Sequence, residues 1–180
     1  MINILKIDLP TFKIGNLEIN IMQGSMGVGI SGSGLVGAVS KCGGGGTLAS
    51  PELGLSNGGR EAKRIANREA LRVEIKKARA ISSKGVIGVN VLYASEDYSG
   101  LVGIADEEKV DYIVCGAGPA LDLPLLVKNQ EIKLIPIVSS LQAAKIFCYH
   151  WKKQLHEHFR SYIEQYHNGY HGIVKTDFCC

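Results

Sequence analysis

Short runs that are apolar almost without interruption alternate along this chain with longer stretches in which apolar positions recur every three or four residues. The runs are Ile19-Asn-Ile-Met-Gln, Thr47-Leu-Ala-Ser, Val86-Ile-Gly-Val-Asn-Val, Asp111-Tyr-Ile-Val-Cys and Lys133-Leu-Ile-Pro-Ile-Val. Their length, β-branched content and flanking glycines predict five strands buried on both faces. Between them, Leu35, Val36 and Val39 share one face of a short helix over 32–41. The strongest helical pattern spans 60–82, where Leu71, Ile75, Ala78 and Ile81 recur at steps of four, three and three. Helices are also predicted over 98–109, 121–128 and 141 to about 154. Ahead of the first strand, Phe12-Lys-Ile-Gly-Asn-Leu-Glu-Ile has a hairpin pattern, with Gly15-Asn16 as its turn.

Five strand–helix alternations with covered strands imply an α/β fold around a parallel sheet. Such units close into an eight-stranded barrel or spread into an open doubly wound sheet. In both, ligands sit at the carboxyl ends of the strands, so the residues there are the functional candidates.

The first strand is followed by Gln23-Gly-Ser-Met-Gly-Val-Gly. Its glycines let the backbone approach a flat or phosphorylated ligand, although the same pattern serves a tight turn. It matches neither the dinucleotide fingerprint nor the P-loop. Asn90 lies at the carboxyl end of the third apolar run, where a carboxamide either holds the edge of a pyrimidine-like ring or satisfies local backbone groups. Gly116-Ala-Gly and Ser139-Ser140 complete the set. No acid–base pair, metal triad or His–Cys arrangement precedes residue 150.

Composition sharpens this picture in two ways. A chain of 180 residues with 46% apolar content has room for one sizeable core, and disorder of the whole is excluded. The net charge of +3 gives no reason to expect a nucleic-acid partner. Arg60, Arg64, Arg68, Arg72 and Lys76 recur every four residues, but Glu61, Glu69 and Glu74 interrupt them, which reads as a solvated helix face. No apolar run reaches the roughly 18 residues of a membrane span, so no membrane partner is expected. Met1 to Pro10 shows no signal-peptide pattern, and the five cysteines show no zinc spacing, so a cytoplasmic location is expected.

The second signal is a break near residue 153. Four of the seven tyrosines, the only tryptophan and all five histidines lie in the last 32 residues, which hold only two of the 22 glycines. Residues 154–180 are therefore expected to be a divergent tail, disordered or helical, behind a domain over 1–153.

Taken in order, Gln23-Gly-Ser-Met-Gly-Val-Gly-Ile-Ser, Gly45-Gly-Thr-Leu-Ala-Ser, Gly88-Val-Asn-Val, Cys115-Gly-Ala-Gly and Lys133-Leu-Ile-Pro-Ile-Val-Ser-Ser resemble the nitronate monooxygenase family. The resemblance covers about residues 10–153. It implies an α/β, TIM-type (β/α) barrel of which about five βα units are present, with FMN at the carboxyl rim. It also implies oxidation of small alkyl nitronates by O₂ to a carbonyl compound and nitrite. By the same resemblance Gly24, Ser25 and Met26 line the flavin, Asn90 hydrogen-bonds to it, and Gly116 and Ser139 flank it.

The family carries a glycine where this chain has Ser25. Its catalytic base comes from a Gly-Gly-His motif after a sixth strand, and its flavin phosphate is held later still. A complete barrel needs about 250 residues, so this chain is expected to be a truncated, weakly active or inactive form. His171, in Gly-Tyr-His-Gly, has no strand pattern leading into it. Two alternatives stay open: a flavin-dependent enoyl-thioester reductase with a similar barrel, and an inert fragment that binds a phosphorylated metabolite.

Overall fold

The computed structural model describes residues 12–14, 16–27, 29–51, 53–54, 58–154, 163–167 and 170–174. The expected hairpin is present: β1 (Phe12–Ile14) pairs antiparallel with β2 (Leu17–Ile19), and Lys13 lies opposite Glu18. The chain then passes through Asn20–Gln23, joined to the main sheet by a parallel bridge between Met22 and Gly45. Helix α1 (Ser33–Lys41) leads to β3 (Gly45–Ala49), and α2 (Arg60–Ile81) leads to β4 (Val86–Leu92). Next come α3 (Tyr98–Glu107), β5 (Tyr112–Gly116), α4 (Leu123–Leu126), β6 (Lys133–Val138) and α5 (Leu141–Gln154).

Strands β3, β4, β5 and β6 are parallel and lie side by side in chain order. That order has no reversal, so every crossover helix falls on one side of the sheet. The side chains confirm it. Leu48, Ile87, Val89, Val91, Ile113, Cys115 and Leu134 join the helices in one large core. On the other face Tyr112, Val114 and Ile135 form a second, smaller core, and Ile14 and Ile19 of the hairpin plug it. A sheet with helices outside and a filled inner face is part of a (β/α) barrel, not of a doubly wound sheet.

Two helices are shorter than the periodicity predicts. Helix α4 covers 123–126 rather than 121–128, because Val127 is already extended (φ −90°, ψ 120°). Helix α3 stops at Glu107, and Lys109 turns into the left-handed region with φ 52°. The tail differs in kind. Instead of disorder or helix, its described residues are two strands, β7 (Ile163–His167) and β8 (Tyr170–Val174). Strand β7 extends the sheet parallel to β6, and β8 folds back antiparallel on β7. His171 itself lies within β8 opposite Tyr166, and the glycine pair of the family's motif does not precede it. Short strands of this mixed polar composition take their conformation from the sheet edge they join, so their own pattern is a poor guide.

Candidate functional site

The carboxyl rim is organised by the segment that follows Met22. Gln23 is held at both ends of its amide: its Oε1 accepts from the Thr47 N–H at 3.2 Å, and its Nε2 donates to Ser31 Oγ at 2.8 Å. The Ser31 hydroxyl, on a residue only 1% exposed, also accepts from the Met26 N–H at 2.9 Å. In return the Ser31 N–H donates to the Met26 carbonyl at 3.2 Å, and the Ser31 carbonyl accepts from Ala49 N at 3.2 Å. Residues 23–31 thus form a closed bend fastened to the end of β3. Neither Gln23 nor Ser31 was singled out from the sequence. The available signal was a polar pair bracketing the glycine bend, with no pattern to say that the two touch.

Asn90 lies within β4, in register with Ala49 on one side and Val114 on the other. Side chains alternate across a strand, so Asn90 shares the inner face with Val86, which packs on the inner core. Its Nδ2 donates to Ser25 Oγ at 3.1 Å. Its Oδ1 is buried and has no hydrogen-bond partner among the described residues. A buried carbonyl oxygen left unpaired costs about 1–3 kcal/mol, which makes this acceptor a candidate for a donor from outside the described residues.

The bend is built for close approach. A Cβ added at Gly24 or Gly27 would meet nothing within 4 Å, so both stand against open space. Met26 is 59% exposed on the same bend, and Ile30 is 57% exposed beside it, leaving apolar surface uncovered at the mouth. Gly116, the last residue of β5, is buried, and its carbonyl accepts from the Tyr93 N–H at 2.8 Å. A side chain there would strike Ile137, which explains the glycine by packing against the neighbouring strand. Ser139 is exposed immediately after β6. Gly24, Ser25 and Met26 thus lie on the bend after Met22, Asn90 within β4 two residues before its end rather than after the strand, Gly116 at the end of β5 and Ser139 just after β6. The structure joins Ser25 to Asn90 directly, whereas no hydrogen bond among the described residues ties Gly116 or Ser139 to that pair.

Behind β5, the Cys115 thiol is pushed up to about 12, chiefly by burial, so it is protonated at neutral pH and serves as core. Among the described residues no group of three His, Cys, Asp or Glu side chains is placed to hold a metal. The basic ladder of α2 is engaged with carboxylates. Arg60 pairs with Glu96, Arg68 with Asp97 through two hydrogen bonds, and Arg72 with Glu107 and Glu108. None of the described helices is long and apolar enough to cross a membrane.

Comparison with known proteins agrees with this geometry. The family model for nitronate monooxygenase matches residues 10–101, from the hairpin through the glycine bend and Asn90 into α3. The chain belongs to the nitronate monooxygenase family. Solved structures similar to this family member include FabK from Thermotoga maritima, at 26% identity and a TM-score of 0.63, covering 76% of this chain and 39% of that one. A FabK variant from the same organism gives the same identity and TM-score, with 42% of its length covered. The chain therefore spans about two fifths of the structures it matches. No curated protein matches it significantly.

Proposed function

We propose that this family member is the flavin-cradling part of an FMN-dependent oxidoreductase that oxidises small alkyl nitronates with O₂ to a carbonyl compound and nitrite. The observation that carries the reading is the meeting of the glycine bend with Asn90. Ser25 and Asn90 are 65 residues apart in sequence, yet they touch at the mouth of the sheet and leave Asn90 Oδ1 buried without a partner among the described residues. The residues fit a flavin: a planar ring with an imide N–H needs a flat approach and one acceptor at its edge. Gly24 and Gly27 offer the approach and Asn90 Oδ1 the acceptor.

When bound, FMN supplies the two-electron oxidation and the reaction with O₂. The chain's own residues orient it. Asn90 would hold the ring edge, the backbone of 24–27 would offer the ring a surface free of side chains at Gly24 and Gly27, and Met26 with Ile30 would give an alkyl substituent apolar surface. No carboxylate or imidazole among the described residues is hydrogen-bonded to Ser25 or Asn90. The expected role of this part of the site is therefore binding and orientation, and proton abstraction falls to a group outside it.

The test is an FMN titration of the full chain, followed by quenching of flavin fluorescence, with nitronate-dependent O₂ uptake and nitrite release measured on the product. Saturable binding at one FMN per chain is expected. Asn90→Ala should weaken it by about tenfold, the worth of one buried hydrogen bond. Binding that is absent, or indifferent to that change, overturns the cofactor assignment. Bleaching of the bound flavin by NAD(P)H in place of nitronate would instead favour the enoyl-thioester reductase alternative.

A further inference from the structure

Ser31 has no hydrogen bond to Asn90 among the described residues, yet its hydroxyl helps to close the bend, together with its own N–H on the Met26 carbonyl and Gln23 Nε2 on the Gly24 carbonyl. It is 1% exposed and takes two hydrogen bonds, from Gln23 Nε2 at 2.8 Å and from Met26 N at 2.9 Å. Those donors flank Ser25. Gln23 is in turn anchored to β3, because its Oε1 accepts from Thr47 N at 3.2 Å and its own N–H donates to Gly45 O at 2.9 Å. Ser25 Oγ, by contrast, has one side-chain contact among the described residues, the 3.1 Å hydrogen bond from Asn90. The position of Ser25 is thus inherited from Ser31 and Gln23. Through Ser25, so is the direction of the Asn90 amide.

We infer that Ser31 is a positioning residue, whose buried hydroxyl holds residues 24–26 so that Ser25 turns the Asn90 amide with its oxygen free to accept from a ligand. The inference rests on the flavin reading for its consequence but not for its geometry, and the two are separable. Removing the hydroxyl takes away the side-chain acceptor of the Met26 N–H and one of three acceptors of Gln23 Nε2, which also donates to the Gly24 carbonyl at 2.9 Å and the Thr47 carbonyl at 3.4 Å. The Met26 N–H must then find another partner, and residues 24–26 shift to supply it.

The experiment is a comparison of Ser31→Ala, Ser31→Thr and Ser25→Ala in the full chain, with two readouts. The first is the side-chain amide resonance pair of Asn90 by NMR, without any flavin. Ser31→Ala is expected to move it in the same sense as Ser25→Ala, and Ser31→Thr, which keeps a hydroxyl, to restore it. If the Asn90 resonances stay put in Ser31→Ala while the protein remains folded, the positioning role is overturned. The second is FMN affinity in a double-mutant cycle of Ser31→Ala with Asn90→Ala. Each single change is expected to cost about tenfold, and the pair little more than either alone, because both remove the same contact. Fully additive losses would mean that Ser31 serves only the stability of the bend, and would also overturn the role. Should the resonances respond as expected while no variant, nor the parent chain, binds FMN, the positioning stands and the flavin reading fails.

Discussion

At the scale of single residues, the glycines of this chain divide by what stands opposite them. A side chain at Gly88 would run into the ring of Tyr112, and Tyr112 is itself held by Thr47 at 2.7 Å. Gly88→Val is therefore expected to lower stability by about 3 kcal/mol through overpacking, read from the urea midpoint. Gly24 faces open space, so Gly24→Ala should leave stability within about 0.5 kcal/mol. If the proposed cradle holds a flavin, it should nevertheless weaken FMN binding by about tenfold, since the methyl would enter the space the proposal gives to the ring. Loss of stability without loss of affinity would reverse that assignment. The cysteines divide in the same way. Cys42 is exposed, whereas Cys115 is buried with its thiol pushed up to about 12. Alkylation of the native protein at mildly alkaline pH, mapped by mass spectrometry, should label Cys42 and spare Cys115 until the chain unfolds.

At the scale of elements, helix α1 begins at Gly32, which has no side chain to cap it. The cap comes from another helix: Glu74 of α2 accepts from the Ser33 N–H at 2.7 Å and pairs with Lys77 at 3.0 Å. Burial raises the Glu74 pKa, but the hydrogen bonds from Ser33 and the charge of Lys77 outweigh it and hold the carboxyl below its ordinary range. The folded value lies below the unfolded one. The contribution is therefore complete at neutral pH and is lost as pH falls from about 4.3, the usual glutamate value, through the lower folded one. Glu74→Gln should cost about 1 kcal/mol at pH 7, and the difference from the parent should shrink below that window in denaturation curves taken at several pH values. This cap was illegible in the sequence. Glu74 sits in a helical repeat of charges, and 41 residues separate it from the N–H it serves. The helices themselves were legible, because each carries its own apolar period. The ends of α3 and α4 were not, because termini depend on local backbone closure rather than on that period.

At the scale of the whole molecule, one sheet separates two cores, and the hairpin β1–β2 belongs to the inner one. Ile19 is 1% exposed there, while Trp151 is fully buried on the outer side, where its Nε1 donates to the Ala120 carbonyl at 3.2 Å. If the two faces unfold as one unit, Ile19→Ala, worth about 3 kcal/mol, should shift the transition seen by Trp151 fluorescence as far as that seen by far-ultraviolet circular dichroism. Separate midpoints would show that the hairpin and inner core melt alone. The composition break near residue 153 was visible at this scale, but its meaning was not. The described part of the tail joins the sheet through β7 beside β6, a choice made by an open strand edge rather than by the tail's own pattern.

The alternation of helices with β3, β4, β5 and β6 and the burial of those strands on both faces were legible in the chain alone, because hydrophobic periodicity and glycine punctuation are local properties of sequence. The first expected strand, at 19–23, is only a bridge at Met22, and β7 and β8 were not foreseen. Whether those units curl into a barrel or spread into a doubly wound sheet was decided only in three dimensions, by helices lying on one face and the hairpin filling the other. The same holds for the pairing of Ser25 with Asn90 and the closing of the bend by Ser31. A hydrogen bond acts over about 3 Å, and the residues that form these bonds reach that separation only once the sheet has brought distant strand ends together.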